Sequence, residues 1–219
     1  MTPNSRDFTS RLQDIAEAAR ARLDATHAAR EKALPAARLA VQLSARSIRA
    51  AHRGEMDAAA DLARQAREAI APAGDALKEF PDIYQAGFLQ DAEKEVAEAH
   101  ITLAMISRGT LPTPSDVGVS EASYLKGLAE AASEMRRAAL DALRRDDVEG
   151  ADGLLAMMDE AYSLLITFDY PDAVTHGLRR TTDQLRGVLE RTRGDVTMSM
   201  RQMSLERRLA DFERGKPPA

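Results

Sequence analysis

Apolar residues recur at helical spacing through most of this 219-residue chain. Between residues 121 and 145, for example, an apolar residue follows every three or four positions, and these positions share one face of a helix: Tyr124, Leu128, Ala131, Met135 and Ala139. No segment of the sequence alternates apolar and polar residues in the manner of a strand. Much of the hydrophobic content, 44% in total, is alanine, which is the best helix former. The sequence therefore predicts an all-α fold.

Helix-start and helix-stop residues divide the chain into seven predicted helices. Pro35 is expected to begin the second helix, because proline is tolerated in a first turn. The third helix is expected to end before Pro72. Asp146 and Glu149 stand where the N-cap of the sixth helix and its capping-box partner belong. Pro171 is expected to open the long seventh helix.

The length of the chain suits one domain with a substantial core, which we expect to span residues 1–212, with a disordered tail at 213–219. The absence of cysteine excludes disulfides and thiolate chemistry. A formal net charge of -5 argues against a generally basic nucleic-acid binder, so any nucleic acid would need a local basic patch. No apolar run reaches membrane-spanning length and the first residues are polar, so we expect a cytoplasmic protein with no membrane partner.

Four glutamates form two pairs on neighbouring predicted helices: Glu95 with Glu98, and Glu130 with Glu134. Residues three or four apart on a helix share a face, so each pair points both carboxylates the same way. Facing acids of this kind bind divalent metal through oxygen, which suits phosphodiester chemistry. Gly127, one turn before Glu130, suggests a packing reason or room for access, because glycine inside a helix costs around 1 kcal/mol against alanine. Residue types and spacing alone leave open the alternative that these acids are ordinary solvated helix surface.

At these same residues the sequence resembles the translin family, and specifically its translin-associated factor X (TRAX) branch. Residues 95–99 (EVAEA) match the E-x-x-E-A segment of that branch, and residues 124–137 (YLKGLAEAASEMRR) match its Y-L-x-G-V-A-D-x-x-G-E segment. The resemblance covers residues 80–195. It implies a seven-helix bundle that assembles into a hollow homo-octamer or another homo-oligomer.

The resemblance also implies a magnesium-dependent ribonuclease site, with Mn²⁺ as an alternative metal. Glu95, Glu98, Glu130 and Glu134 would then be both the catalytic residues and the metal ligands. Glu130 stands where TRAX has aspartate, so it keeps the charge and the oxygen ligands but adds one methylene. No histidine is needed: His100 is interpreted as a structural imidazole. His27, His52 and His176 receive no role.

Four arginines are candidate RNA-binding residues. Arg46, Arg49 and Arg53 line one face of the second predicted helix, and Arg137 lies one turn beyond Glu134. A basic track without aromatic side chains would bind the nucleic-acid backbone rather than read bases. The alternative is that these arginines pair with nearby acids, as on many solvent-exposed helices.

Three functions are compatible with the sequence. The first is a TRAX-like, Mg²⁺-dependent endoribonuclease acting on single-stranded RNA within a homo-oligomer. The second is a translin-like protein that binds single-stranded RNA or DNA without cleaving it, and the third is a helical scaffold with no nucleic-acid role. Self-association is expected because apolar positions such as Ile101 and Met105 lie outside the main stripe of their helix.

Overall fold

The computed structural model describes residues 5–214, and these residues form an all-α bundle, as the periodicity predicts. No β-strand occurs in this range. In chain order the helices are α1 (Ser5–His52), α2 (Met56–Leu77), α3 (Pro81–Tyr84), α4 (Phe88–Ser107), α5 (Pro114–Val117), α6 (Glu121–Leu143), α7 (Val148–Leu165), α8 (Asp172–Thr175) and α9 (Leu178–Glu213). Six of the nine are long, and α3, α5 and α8 are single turns. Of the predicted tail, residues 215–219 lie outside the described range.

The first two predicted helices are one continuous helix, α1, which passes through Pro35 without ending. Pro35 is exposed, and its ring removes only one backbone hydrogen bond. Ala33, Ala37 and Ala40 are fully or almost fully buried on the opposite face, before and after the proline. Packing of this alanine face therefore keeps the helix continuous through a residue that would end an isolated helix.

Three other predicted boundaries also differ from the structure. Helix α2 continues through Pro72 because Ile70, Ala73 and Leu77 form one buried face on either side of it. The N-cap of α7 is Asp147 rather than Asp146, and its carboxylate accepts a hydrogen bond from the Gly150 amide. After Pro171 comes only the short α8, and the long α9 starts beyond a left-handed Gly177.

Helix α4 lies between the two halves of the core. Its residues Leu89, Ala92 and Val96 pack with α1 and α2. Ala97, Ile101 and Met105 pack on the other side with α6, α7 and α9. Ile101 and Met105 are therefore buried within one chain, and the expectation that they support self-association was wrong.

Many of the apolar residues that stay exposed lie on the first half of α1 and the second half of α9. Phe8 and Ile15 on α1 are 65% and 61% exposed, and Phe212 on α9 is 80% exposed. Exposed apolar side chains of this size are stabilised when another surface covers them. Within the described range, none of the helices combines the length and the apolar character needed to cross a bilayer.

Candidate metal centre

Helices α4 and α6 approach closely at Gly127. A Cβ atom at this position would lie 2.7 Å from the Ala97 Cβ, 2.8 Å from the Lys94 carbonyl oxygen and 2.9 Å from the Glu98 amide nitrogen. All three distances are shorter than real side chains allow, and two of the atoms belong to the α4 backbone. The glycine is therefore required by close helix packing, and it does not leave an access space beside Glu130.

Three of the four predicted carboxylates converge at this crossing. Glu95, Glu98 and Glu130 each offer an oxygen, and these oxygens lie within 4.8 Å of one another. Glu98 is 8% exposed, whereas Glu95 and Glu130 are partly exposed. An all-oxygen set with an accessible side suits Mg²⁺ or Mn²⁺, which keep some of their waters and take a few protein oxygens. The donor types and their spacing fit the metal that the sequence predicts.

Lys94 neutralises part of this cluster in the absence of a metal. Its Nζ atom lies 2.9 Å from Glu95 Oε1 and 2.5 Å from Glu130 Oε2, so it links the two helices. Burial alone would lower the pKa of Lys94, but its hydrogen bonds to Glu130 and Glu95 outweigh burial and raise that pKa. Sequence reasoning missed this residue, although its position directly before Glu95 was a usable signal.

Glu98 is the buried member of the cluster. Burial, followed by the charges of Glu95 and Glu130, raises its pKa to about 9. Glu98 therefore carries a proton at neutral pH while the cluster holds no metal. Carboxylates bind metal in their ionised form, so a cation that enters this cluster displaces that proton.

Glu134 lies outside the group of three carboxylates. Its Oε2 atom is 2.8 Å from Nε2 of His52 at the end of α1, and the His52 side chain is only 1% exposed. This hydrogen bond is the main reason why the pKa of Glu134 is lowered. The predicted convergence thus holds for three glutamates, while the fourth is turned towards α1. Sequence reasoning gave His52 no role, and no local signal connects it with a residue 82 positions away.

The four candidate RNA-binding arginines differ in their surroundings. Arg53 makes a bidentate ion pair with Glu55, with nitrogen–oxygen distances of 2.8 and 2.6 Å. It therefore pairs with a nearby acid, which was the alternative to RNA binding. Arg46 and Arg49 are exposed and form no hydrogen bond or ion pair with the rest of the described chain. Arg137 is exposed, and its charge contributes to the lowered pKa of Glu134.

His100 has the structural role that the sequence suggested. Its Nδ1 atom lies 2.9 Å from the carbonyl oxygen of Val96, one turn earlier on α4. Burial lowers the pKa of His100, which favours the neutral imidazole. A neutral, backbone-bonded side chain of this kind contributes to packing and has no part in the carboxylate cluster.

Known proteins similar to this chain include one curated sequence and several solved structures. No protein-family model matches the chain. An uncharacterized protein, MJ0175 of Methanocaldococcus jannaschii, is 31% identical over 141 residues, which cover 64% of this chain and 62% of the length of that relative. The chain of apo-NeC3PO shares 18% identity with a TM-score of 0.71, covering 91% of this chain and 98% of that one, and shows the fold alone.

The AfC3PO structures are more similar in sequence. The crystal structure of AfC3PO has a TM-score of 0.77 at 34% identity, and the AfC3PO–duplex RNA complex has a TM-score of 0.76 at 33% identity. In each case the match covers 84% of this chain and 96% of the solved chain. At this identity, over nearly the whole of the solved chain, the chain belongs to the translin family, which includes C3PO.

Proposed function

We propose that this protein is a Mg²⁺-dependent endoribonuclease that cuts single-stranded RNA within a homo-oligomer, as in the TRAX branch. The observation that carries the proposal is the convergence of Glu95, Glu98 and Glu130 from two helices onto one point, with their oxygens within 4.8 Å. Three ionised acids this close repel one another, so without a metal Glu98 keeps its proton and Lys94 balances part of the remaining charge. A divalent cation supplies compensating positive charge and suits phosphodiester hydrolysis.

Each residue of the site has a separate task in this proposal. Glu95, Glu98 and Glu130 would hold Mg²⁺, or Mn²⁺ in its place. When bound, the metal supplies an acidified water and positive charge for the phosphate oxygens of the transition state. Lys94 adds a second positive charge beside Glu95 and Glu130. His52 fixes the carboxylate of Glu134 at the border of the site, where it can accept a hydrogen bond from bound water or from RNA.

RNA as the ligand is supported by the AfC3PO–duplex RNA complex and by the chemistry of the surface. Arg46 and Arg49 offer guanidinium groups that no acid of the described chain neutralises. The chain lacks tryptophan altogether, so contacts to the phosphate backbone would dominate and sequence preference would be slight. The preference for single strands is part of the proposal, and single-stranded DNA is the alternative ligand.

One observation favours a second candidate, a protein that binds nucleic acid without cleaving it. Lys94 contacts the same carboxylate oxygens of Glu95 and Glu130 that a metal would need. If this lysine remains in place when RNA binds, it takes the position of the metal, and the acids are then structural. The two functions are distinguished by whether the protein cleaves bound RNA when a divalent metal is added.

The deciding experiment incubates end-labelled single-stranded and duplex RNA with the protein in Mg²⁺, in Mn²⁺ or in EDTA. We expect internal cuts in the single strand that require the metal and vanish in Glu95→Ala/Glu98→Ala. The control is Glu79→Ala/Asp82→Ala, which removes two exposed acids three residues apart, outside the cluster and outside the exposed apolar surfaces of α1 and α9, and should cut normally. Cleavage by the Glu95→Ala/Glu98→Ala variant would place any nuclease elsewhere, and RNA binding without cleavage would support the second candidate.

Self-association is part of the same proposal, with a homo-octamer as the expected assembly. The exposed apolar side chains on the first half of α1 and the second half of α9, Phe8, Ile15 and Phe212 among them, support it. Light scattering at micromolar concentration measures the mass directly. A monomeric mass would contradict the assembly, and replacement of Phe8 and Ile15 by glutamine should lower the mass if α1 forms the interface.

A further inference from the structure

A second polar pocket adjoins the carboxylate cluster at the end of the bundle where α1, α4 and α6 finish and α7 begins. The pocket has a volume of about 410 Å³. His52 lines it and also contacts Glu134, so the two sites share a wall. Asp141, which lines the pocket, follows Glu134 by seven residues and therefore lies on the same face of α6. Arg145, which also lines the pocket, lies in the turn beyond the last residue of α6, Leu143, which is about 14 Å along the helix from Glu134.

Arg108 is held in this pocket by an unusual backbone conformation. It caps the C-terminus of α4 with φ 53° and ψ 34°, the left-handed region that glycine adopts most easily. A glycine, Gly109, is the very next residue, so the chain places its arginine rather than its glycine at the strained position. Left-handed conformations of residues other than glycine cluster at functional sites, where the surrounding structure holds them.

The guanidinium group of Arg108 lies against α7. A Cβ atom at Gly153 would be 3.3 Å from its Nη2 atom, so the group rests over this glycine. The contact places the charged end of Arg108 beside the start of α7, and it involves no acid of the described chain.

Three arginines line the pocket: Arg53, Arg108 and Arg145. Only the first of them forms an ion pair within the described chain. Arg53 is paired with Glu55. Asp147 accepts the amide hydrogen bond of Gly150 as the α7 N-cap. Asp141 lies 3.7 Å from Arg144, which is not a lining residue. The groups that remain are Arg108 and Arg145, which are both exposed and line the pocket.

Positive side chains at helix C-termini also interact favourably with the helix dipole, which is sufficient reason for an arginine near each end. The dipole accounts for the charge of these arginines, and the left-handed backbone of Arg108 recurs after other helices at Asp146 and His176. What sets Arg108 and Arg145 apart is that both line one pocket and that no acid of the described chain pairs with them.

We propose that this pocket binds a backbone phosphate of the RNA strand whose scissile bond lies at the carboxylate cluster, with Arg108 and Arg145 as its ligands. Guanidinium groups bind phosphate through paired, charge-assisted hydrogen bonds. A phosphate at this pocket would hold the strand a few nucleotides from the cluster, so the two arginines would position it without neutralising the carboxylates. The identity of the ligand as RNA rests on the proposed function, whereas the phosphate site rests on the pocket itself.

The test measures binding of a fluorescein-labelled single-stranded RNA by anisotropy in EDTA, so that neither metal nor cleavage enters. Arg108→Gly/Arg145→Gln should weaken binding roughly tenfold or more, as expected when charge-assisted hydrogen bonds are removed. The slope of log affinity against log salt should fall by about 0.7 for each phosphate that the variant no longer neutralises. The control, Arg180→Gln/Arg191→Gln, removes the same charge from exposed positions on α9 that do not line the pocket, and should change affinity less than about twofold.

Arg108→Gly alone separates binding from folding. Glycine relieves the left-handed strain, so this variant should unfold at the same or a higher urea concentration than the wild type while it binds RNA more weakly. Weaker RNA binding at undiminished stability supports the phosphate site. Weaker binding that accompanies lower stability would overturn it.

Three further outcomes decide against the proposal. Affinity that falls no more than in the Arg180→Gln/Arg191→Gln control overturns the phosphate site. A second outcome is that the arginine variant binds RNA more weakly than the wild type only when the strand carries a 5′-phosphate. That result would assign the pocket to a terminal phosphate and overturn its assignment to the RNA backbone. A changed mass in light scattering with unchanged RNA affinity would make the pocket an interface between copies.

The phosphate site and the proposed nuclease fail in different ways. Wild-type protein that binds RNA through Arg108 and Arg145 but never cuts it in Mg²⁺ contradicts the nuclease and supports the phosphate site. Failure of the wild type to bind RNA at all overturns both.

Discussion

Replacing Gly127 by alanine tests whether the close approach of α4 and α6 holds the carboxylate cluster together. The added methyl group would meet Ala97, Lys94 and Glu98 at 2.7, 2.8 and 2.9 Å, where ordinary contacts are 3.4 Å or longer. Because two of these atoms belong to the α4 backbone, no side chain can rotate away. The helices must therefore separate by roughly 0.5–1 Å, a displacement that overpacked cores accommodate only with strain.

The magnitude follows from two opposing effects. Overpacking of this kind costs about 1–3 kcal/mol. Alanine in place of glycine in a helix contributes about 1 kcal/mol in the other direction. We therefore expect a net loss of up to about 2 kcal/mol, which shifts the urea midpoint down by as much as roughly 0.7 M for a slope of about 3 kcal/mol/M. Because Glu98 and Glu130 move apart with their helices, Mn²⁺ affinity should also fall, by about tenfold.

The matched control is Gly194→Ala on α9. Gly194 is also inside a helix, but it is exposed and a Cβ atom there would meet nothing within 4 Å. This variant should gain up to about 1 kcal/mol from helix propensity alone. Both variants are unfolded in urea and followed by circular dichroism at one protein concentration, since association would otherwise shift the midpoint. Equal stabilisation of the two variants would refute the reasoning, because the crossing would then have room for a methyl group.

Four other predictions concern the cluster and its neighbours. Because the pKa of Glu98 is raised in the folded protein, this group ionises first in the unfolded chain, so stability should fall as pH rises from about 4.5 towards 9. Glu98→Gln should remove this fall. Its urea midpoint should be higher than that of the wild type at pH 8 but not at pH 4.5. Lys94→Met removes the cation beside two acids, so the metal-free protein should lose stability and regain more of it on adding Mn²⁺ than the wild type does. His52→Ala should destabilise the protein in urea, whereas His27→Ala, at an exposed position, should not; equal midpoints would contradict the importance of the histidine–carboxylate bond. Glu130→Ala should abolish metal-dependent RNA cleavage while Glu130→Asp retains it, and full activity of the alanine variant would remove this residue from the site.

The sequence by itself determined the helical class and the local faces of the helices. Residues three or four apart are neighbours on any helix, so the pairing of Glu95 with Glu98 needs no tertiary information. The same local reasoning failed at Pro35 and Pro72. A proline ends a helix that stands alone, but buried residues on both sides of each proline pack against other helices and keep these helices continuous.

Only the tertiary structure decided which side chains meet across helices. The contact of Lys94 with Glu130 joins residues 36 positions apart, and that of His52 with Glu134 joins residues 82 apart. Such contacts depend on how far apart two helices lie and how each is rotated about its axis, and spacing within one helix carries no information on either. At the α4–α6 crossing the distance is set by Gly127, where the lack of a side chain lets the backbones approach and brings three carboxylates together.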